Sequence, residues 1–254
     1  MAIVNDIYAF LNEIAPVRYQ MDFDNAGFLV GDGSTAVKKA LLALDITDDV
    51  IAEAVELRAQ LIVSHHPLIF TPLRHATTDD LAGRKVLTLA RYGISAICMH
   101  TNLDAADGGV NDCLAKKLGL NDVFLLNDEK IGRIGTLSCE KGLEEFLRDV
   151  IELLGCGGLR YCRGSGRVHR VAVGGGACGE YIPQAIAQGC DTFVTSDLRY
   201  NDFLDTRGLN LIDAGHFPTE NVVCPTVKAY LEEHFPEVKT VISTSHRDVI
   251  QYYL

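Results

Sequence analysis

The chain has 254 residues, 48% of them hydrophobic, enough for one large domain or two small ones with real cores, which excludes a disordered or low-complexity protein. A formal net charge of -11 and a pI near 5.1 offer no basic field to hold a nucleic-acid backbone, so an anionic nucleotide would need a local cationic device such as a metal. No apolar run approaches the roughly 20 residues of a membrane span, and the eight cysteines, with no C-x-x-C pair and no secretory leader ahead of them, read as reduced packing thiols of a cytoplasmic protein.

In chain order, Val4, Ile7, Tyr8, Leu11 and Ile14 recur at helical spacing, with Asn5 placed to cap the helix and Pro16 to end it. "MDFDNAGFLVG" follows as a polar turn around Asp24, Asn25 and Gly27 leading into a short strand. Strands and helices then alternate: "ALLALDI", a helix over 48–58, "AQLIVS", a helix over 82–92, and "ISAICMH". That alternation predicts an α/β fold with parallel or mixed sheets flanked by helices.

The second half repeats the pattern. "VHRVAVGGGACGEYIPQAIAQGCDTFVTSDLRY" aligns with "VKKALLALDITDDVIAEAVELRAQLIVSHHPLIF", and "TRGLNLIDAGHFPTE" then "VVCPTVKAYLEE" align with "RYGISAICMHTNLD" then "VNDCLAKKLG". We read this as two related α/β units, 1–126 and 127–254, divided at the turn-rich "LNDEKIGRIG"; the plainer alternative is that any two strand-helix-strand stretches align this well.

Ligands in open α/β sheets sit outside the carboxyl ends of strands. Four of the eight histidines fall at three such ends: His65 and His66 after "LIVS", His100 with Asp104 in "HTNLD", and His216 with Glu220 in "HFPTE". Adjacent strand residues point to opposite faces, so His65 and His66 serve one site only if the chain leaves β geometry there; otherwise they address two ions side by side. Pro218 suits a first helical turn, which places His216 in the preceding loop and Glu220 in the helix, while the Ala-Ala-Asp-Gly-Gly after Asp104 gives that carboxylate a flexible loop.

Imidazoles with a bridging carboxylate suit two cations about 3.5 to 4 Å apart, and the set fits Zn, Fe, Mn or Ni rather than a cysteine-type zinc. His75, His169, His234 and His246 read as surface or packing residues. "VGGGACGE" reads as a tight strand-to-helix turn rather than a phosphate loop, since it lacks the lysine ending of one. In "VTSDLRYND", at the repeat-equivalent place of the histidine pair, Ser196, Asp197 and Arg199 could bind substrate or simply close a loop.

"SHHPLIF", "HTNLDAADGGVND" and "GHFPTEN", in that order behind "DNAGFLVG", resemble the NIF-three-like dinuclear-metal-centre family, whose members include GTP cyclohydrolase 1 type 2 homologs, in its compact form without an inserted middle domain. The resemblance covers nearly the whole chain. It implies two divalent ions held by His65, His66, Asp104, His216 and Glu220, a homohexameric ring, and His100 beside the metals as a candidate for proton transfer. The reaction it implies is hydrolysis of a small molecule, either opening of the imidazole ring of GTP by attack at C8 or cleavage of a related nucleotide or phosphoester. A non-catalytic metal-binding or regulatory protein is the alternative. Asn201 stands where relatives commonly carry a histidine, which puts any acid/base role there in doubt.

Overall fold

The computed structural model describes residues 1–253. In chain order the elements are α1 (Val4–Ile14), β1 (Gly27–Val30), β2 (Lys39–Ala43), α2 (Asp48–Glu56), β3 (Leu61–Ser64), α3 (Leu81–Tyr92), β4 (Ser95–Cys98), α4 (Thr101–Ala105), α5 (Val110–Lys117) and β5 (Asn121–Leu125). There follow β6 (Arg133–Gly142), α6 (Leu143–Leu154), β7 (Arg160–Cys162), β8 (Arg167–Val173), α7 (Ile182–Ala187), β9 (Thr192–Thr195), β10 (Asn210–Asp213), α8 (His216–Glu220), α9 (Cys224–His234) and β11 (Lys239–Ile242).

The chain forms two units. Met1–Asp107 with Cys224–Arg247 make the first, and Gly108–Val223 with the segment from Asp248 onward make the second. These boundaries differ from the division at 126/127. The turn-rich stretch there is no linker, because β5 and β6 on either side of it pair antiparallel, Leu125 opposite Arg133. At the other end β11 returns to lie parallel to β2, Val241 opposite Leu41, and so carries 224–247 back into the first unit.

The first unit's sheet has the order β1-β4-β3-β2-β11, parallel except for β1. The second has the order β5-β6-β8-β9-β10-β7, in which β8, β9 and β10 are parallel and the others antiparallel. The expected mixed α/β class is therefore observed. Central strands β3, β4, β9 and β10 are buried along their whole length, as parallel strands covered on both faces are, and their sequences do not alternate apolar with polar residues. In the first unit Leu41, Ile62 and Ala96 pack with Val50, Ile51 and Leu89 of the covering helices; in the second, Val171, Val194 and Ile212 pack with Leu114, Phe146 and Val150.

Both units contain one pattern. An antiparallel strand flanks three consecutive parallel strands in the order β1-β4-β3-β2 in one and β7-β10-β9-β8 in the other. Each pattern ends in a five-residue helix, α4 or α8, directly after its last strand. The shared topology, including the antiparallel strand ahead of the aligned segments, favours duplication over chance alignment.

Local signals act as physical chemistry requires, with one correction. Thr47 caps α2 by accepting from the Val50 N–H at 3.2 Å, and Asp80 caps α3 through Gly83 at 2.6 Å. Helix α1, however, starts at Val4 with Ile3 at the cap position, and Asn5 lies inside it. The Ile3 N–H is satisfied by Asp6 Oδ2 at 3.0 Å, so an acid three residues on takes the place of the expected side-chain cap.

Beyond β11, the segment 243–245 is bound to one carboxylate of α2. Glu53 accepts from Ser243 Oγ, from the Thr244 N–H and Oγ1 at 2.9 Å each, and from the Ser245 N–H at 3.0 Å. Burial opposes ionisation of Glu53, but these hydrogen bonds outweigh it and hold the carboxyl at about 2. A depressed folded-state pKa gives stability that is present above the unfolded value and is lost as pH falls from about 4.5 toward 2. Glu53→Gln should therefore lower stability by about 1 kcal/mol at neutral pH and flatten the acid limb of a plot of Tm against pH between those values; an unchanged acid limb would show that Glu53 does not anchor this segment.

Candidate metal centre

In the first unit, strand β3 stops at Ser64 and the chain bends. The Ser64 hydroxyl donates to the His66 carbonyl at 2.9 Å, the Cys98 thiol donates to the His65 carbonyl at 2.8 Å, and the His66 N–H donates to Leu44 O at 2.9 Å. This bend brings both imidazoles to one side, with ring centroids 5.1 Å apart. His100, directly after β4, joins them at 5.2 Å from His65 and 5.5 Å from His66. Together His65, His66 and His100 offer nitrogen atoms within 4.8 Å of one another, a group able to hold a metal ion. Burial, with Asp24 and Asp104 adding to it, pushes the Cys98 thiol well above its ordinary pKa, so it stays a protonated donor.

Each ring is turned by its Nδ1. That of His65 donates to Met99 O at 2.8 Å, that of His66 to Asp45 Oδ1 at 2.8 Å, and that of His100 to Asp24 Oδ1 at 2.7 Å. With Nδ1 engaged, Nε2 is the nitrogen that would coordinate a metal or carry a proton, and the carboxylates beside His66 and His100 raise its basicity. Asp24 is itself clamped, accepting from the Thr101 N–H at 3.0 Å, Thr101 Oγ1 at 2.5 Å and the Asn25 N–H at 2.7 Å. Burial would raise its pKa, yet the His100 and Thr101 hydrogen bonds dominate and hold it at about 2. Asp104 is buried, with Oδ1 3.6 Å from His65 Nε2. It sits inside α4 rather than in the loop expected from its Gly-Gly neighbours, because His100 O accepts the Asp104 N–H at 3.1 Å and starts the helix.

The second unit has a matching helix of its own. His216 is the first residue of α8, not a loop residue, and its spacing of four from Glu220 puts both on one face, with Nε2 3.0 Å from Glu220 Oε2. Its Nδ1 donates to Asp197 Oδ2 at 2.5 Å. Burial would lower the His216 pKa, but the Glu220 and Asp197 carboxylates hold it up at about 9. A metal taking Nε2 would therefore release a proton.

The glycine-rich turn is the seat of this helix. Its amides go to protein groups: Gly175 to Asn111 Oδ1 at 2.9 Å, Gly176 to Thr219 Oγ1 at 3.0 Å and Cys178 to Thr195 Oγ1 at 3.1 Å. It is a strand-to-helix turn, as its sequence indicated, and not a phosphate cradle. Gly176, at φ +65°, is required sterically, because a Cβ there would lie 2.1 Å from Glu220 Oε1 and 3.2 Å from His216 Nε2.

Of the three residues expected to face substrate, Asp197 orients His216, Ser196 is fully buried with its N–H on Gly176 O, and Arg199 is exposed and paired with Asp202 at 3.2 Å. Sequence reasoning missed Asp24 and Asp45 as partners of His100 and His66. The available signal was position: Asp45 lies just past β2, at the same carboxyl edge as the histidines. His246 is a packing residue as expected, its Nε2 accepting from the Leu44 N–H at 2.8 Å.

Two α/β units with histidines and carboxylates at the carboxyl ends of their strands define a protein with a His/Asp/Glu donor set able to hold metal ions. The model of the Duf34/NIF3 (NGG1p interacting factor 3) family matches residues 2–249, and the chain belongs to that family. It is 35% identical to a GTP cyclohydrolase 1 type 2 homolog of Clostridium perfringens, over 98% of this chain and 99% of that protein. A second protein of that name, from Clostridium acetobutylicum, is 33% identical over 98% and 97%. Among solved structures, a Bacillus cereus protein related to NIF3 superposes with a TM-score of 0.93 at 25% identity, covering 99% of both chains. A Staphylococcus aureus hypothetical protein does so at 0.92 and 28%, also over 99% of both. No helix among the described residues is long and apolar enough to cross a membrane.

Gly176→Ala tests the seat of α8. Left-handed backbone costs about 1 to 2 kcal/mol with a Cβ, and displacement of Glu220 should weaken divalent-metal binding about 10- to 100-fold while circular dichroism stays native. Unaltered zinc affinity in a chelator competition would show that Glu220 does not need this geometry.

Proposed function

We propose that the chain is a metal-dependent hydrolase that uses two divalent ions held by His65, His66, Asp104, His216 and Glu220. The observation supporting this most is that all these imidazoles have Nδ1 fixed, three of the four partners including His100's being carboxylates, as metal-binding histidines require. Nitrogen and carboxylate donors suit zinc, iron, manganese or nickel. When bound, the ions would supply Lewis acidity and a nucleophile at neutral pH.

The remaining roles belong to the chain. Asp45, Asp197 and the Met99 carbonyl orient ligand imidazoles. His100 is assigned proton transfer: with Nδ1 on Asp24 its Nε2 is the atom that takes or gives a proton to the substrate. In a protein of net charge -11 the ions would also offset the charge of a nucleotide triphosphate. The name shared by its relatives makes GTP the first substrate to test, with hydrolytic opening of its imidazole ring at C8; another nucleotide or phosphate ester is the next. We include a homohexameric ring in the proposal, to be read by native mass spectrometry.

Metal-loaded protein incubated with GTP should yield a formamidopyrimidine product by mass spectrometry. Glu220→Gln should reduce its formation about 100-fold, the order expected when a group that would hold the metal is weakened, with the oligomer retained. No product with any of zinc, iron, manganese or nickel, from GTP or from a panel of phosphate esters, would sink the hydrolase and leave a metal-binding regulatory protein.

A further inference from the structure

Two large apolar rings stand in solvent beside His100. Phe23 is 62% exposed and Phe70 49% exposed, their centroids are 6.3 Å apart and their planes are tilted by 48°. Phe70 meets the His100 ring edge-on at 6.4 Å. Single exposed apolar residues are ordinary, but these two are fixed as a pair by polar groups. Asn25 Nδ2 donates to Ile69 O at 2.6 Å, tying the residue before Phe70 to the loop that carries Phe23. That loop is pinned again on both sides of Phe23, by the Met21 N–H on Thr101 Oγ1 at 2.9 Å and by the Asp24 carboxylate on Thr101 and His100. The chain thus spends directional hydrogen bonds on holding two flat hydrophobic faces out in water, at the edge of a histidine cluster.

We infer that Phe23 and Phe70 form a recognition wedge for a planar heteroaromatic ring of the substrate, a purine base being the class that fits. One face stacks on the ligand while the tilted partner meets its edge, the two arrangements aromatic pairs prefer. A flat π-system gains from both, whereas a sugar phosphate gains from neither. The ring so held lies next to His100, the group assigned to proton transfer. The inference rests on the metal-hydrolase reading for the location of the chemistry, but not for the stacking itself.

The test uses the full-length zinc-loaded protein and two probes, guanosine monophosphate and ribose 5-phosphate, which differ by the base. The chain has no tryptophan, so Phe23→Trp gives a single indole, excited selectively over the tyrosines, whose fluorescence the base should quench and the sugar phosphate should not. By calorimetry, Phe23→Ala and Phe70→Ala should each weaken guanosine monophosphate binding about tenfold and leave ribose 5-phosphate unchanged; Phe70→Leu, which keeps apolar bulk without a ring, should behave as the alanine variant does. Equal binding of the two probes, absence of binding by either, or full affinity in Phe70→Leu would overturn the inference. So would dissociation of the oligomer by Phe23→Ala with guanosine monophosphate binding intact, which would assign the rings to a contact between copies. Metal content read on the same samples separates the two failures: stoichiometric zinc without base preference overturns the wedge alone, and base preference without bound zinc overturns the metal centre alone.

Discussion

An imidazole binds a metal through one nitrogen, and the direction of that nitrogen is decided by what holds the other. In this protein the other is always Nδ1, held by Met99 O for His65, Asp45 for His66, Asp24 for His100 and Asp197 for His216. These four hydrogen bonds fix tautomer and ring plane together. The surrounding loops are built to keep the acceptors in place. Asp24 shows the constraint most fully: burial opposes its charge, and the His100, Thr101 and Asn25 donors outweigh burial and hold its pKa at about 2.

The same demand explains the backbone around the site. His65 and His66 reach one side because the strand ends at Ser64 and the Ser64 and Cys98 side chains bind the carbonyls of the bend. Glu220 reaches its place because Gly176 offers no Cβ and because Thr219 ties α8 to the turn through the Gly176 N–H. Both devices act on the main chain, so the functional side chains inherit their positions from hydrogen bonds made by residues that carry no chemistry of their own. Thr101 and Thr219 are two such residues, the first holding the Asp24 carboxylate and the second the Gly176 N–H.

Much of this was legible beforehand. Largely apolar runs such as "LIVS" and "LNLID" marked buried strands, and the histidines shortly after them marked the carboxyl edge. The same runs gave no account of α6, β7 or β11. In β11, Lys239 is exposed and Val241 and Ile242 only half-buried, so its four residues carry too little apolar signal to reveal a strand that closes a sheet from far along the chain. The turn-rich "LNDEKIGRIG" looked like a linker because turn chemistry does not say whether the strands beside it pair with each other, as β5 and β6 do. Asp45 could be placed at the carboxyl edge by its position after β2, but its pairing with His66, like that of Asp24 with His100, depends on distances set by folded loops and leaves no periodicity in the sequence.

The two copies of the strand pattern divide the work unequally, and the division answers why only one carries a histidine pair. Each retains a histidine at the start of a short helix and an acid four residues later: His100 at the cap of α4 with Asp104 inside it, and His216 as the first residue of α8 with Glu220 as its last. In the first copy the imidazole takes its orienting carboxylate from Asp24, in the loop ahead of β1, which frees the end of β3 to present His65 and His66. In the second copy the equivalent strand end after β9 supplies Asp197 to His216, in a left-handed backbone at φ +54°. A residue in that strained conformation persists only where its surroundings enforce it. A histidine in place of Asp197 would remove the carboxylate that sets the tautomer of His216 and one of the two that raise its pKa. The second copy thus uses that position to orient His216 rather than to present an imidazole.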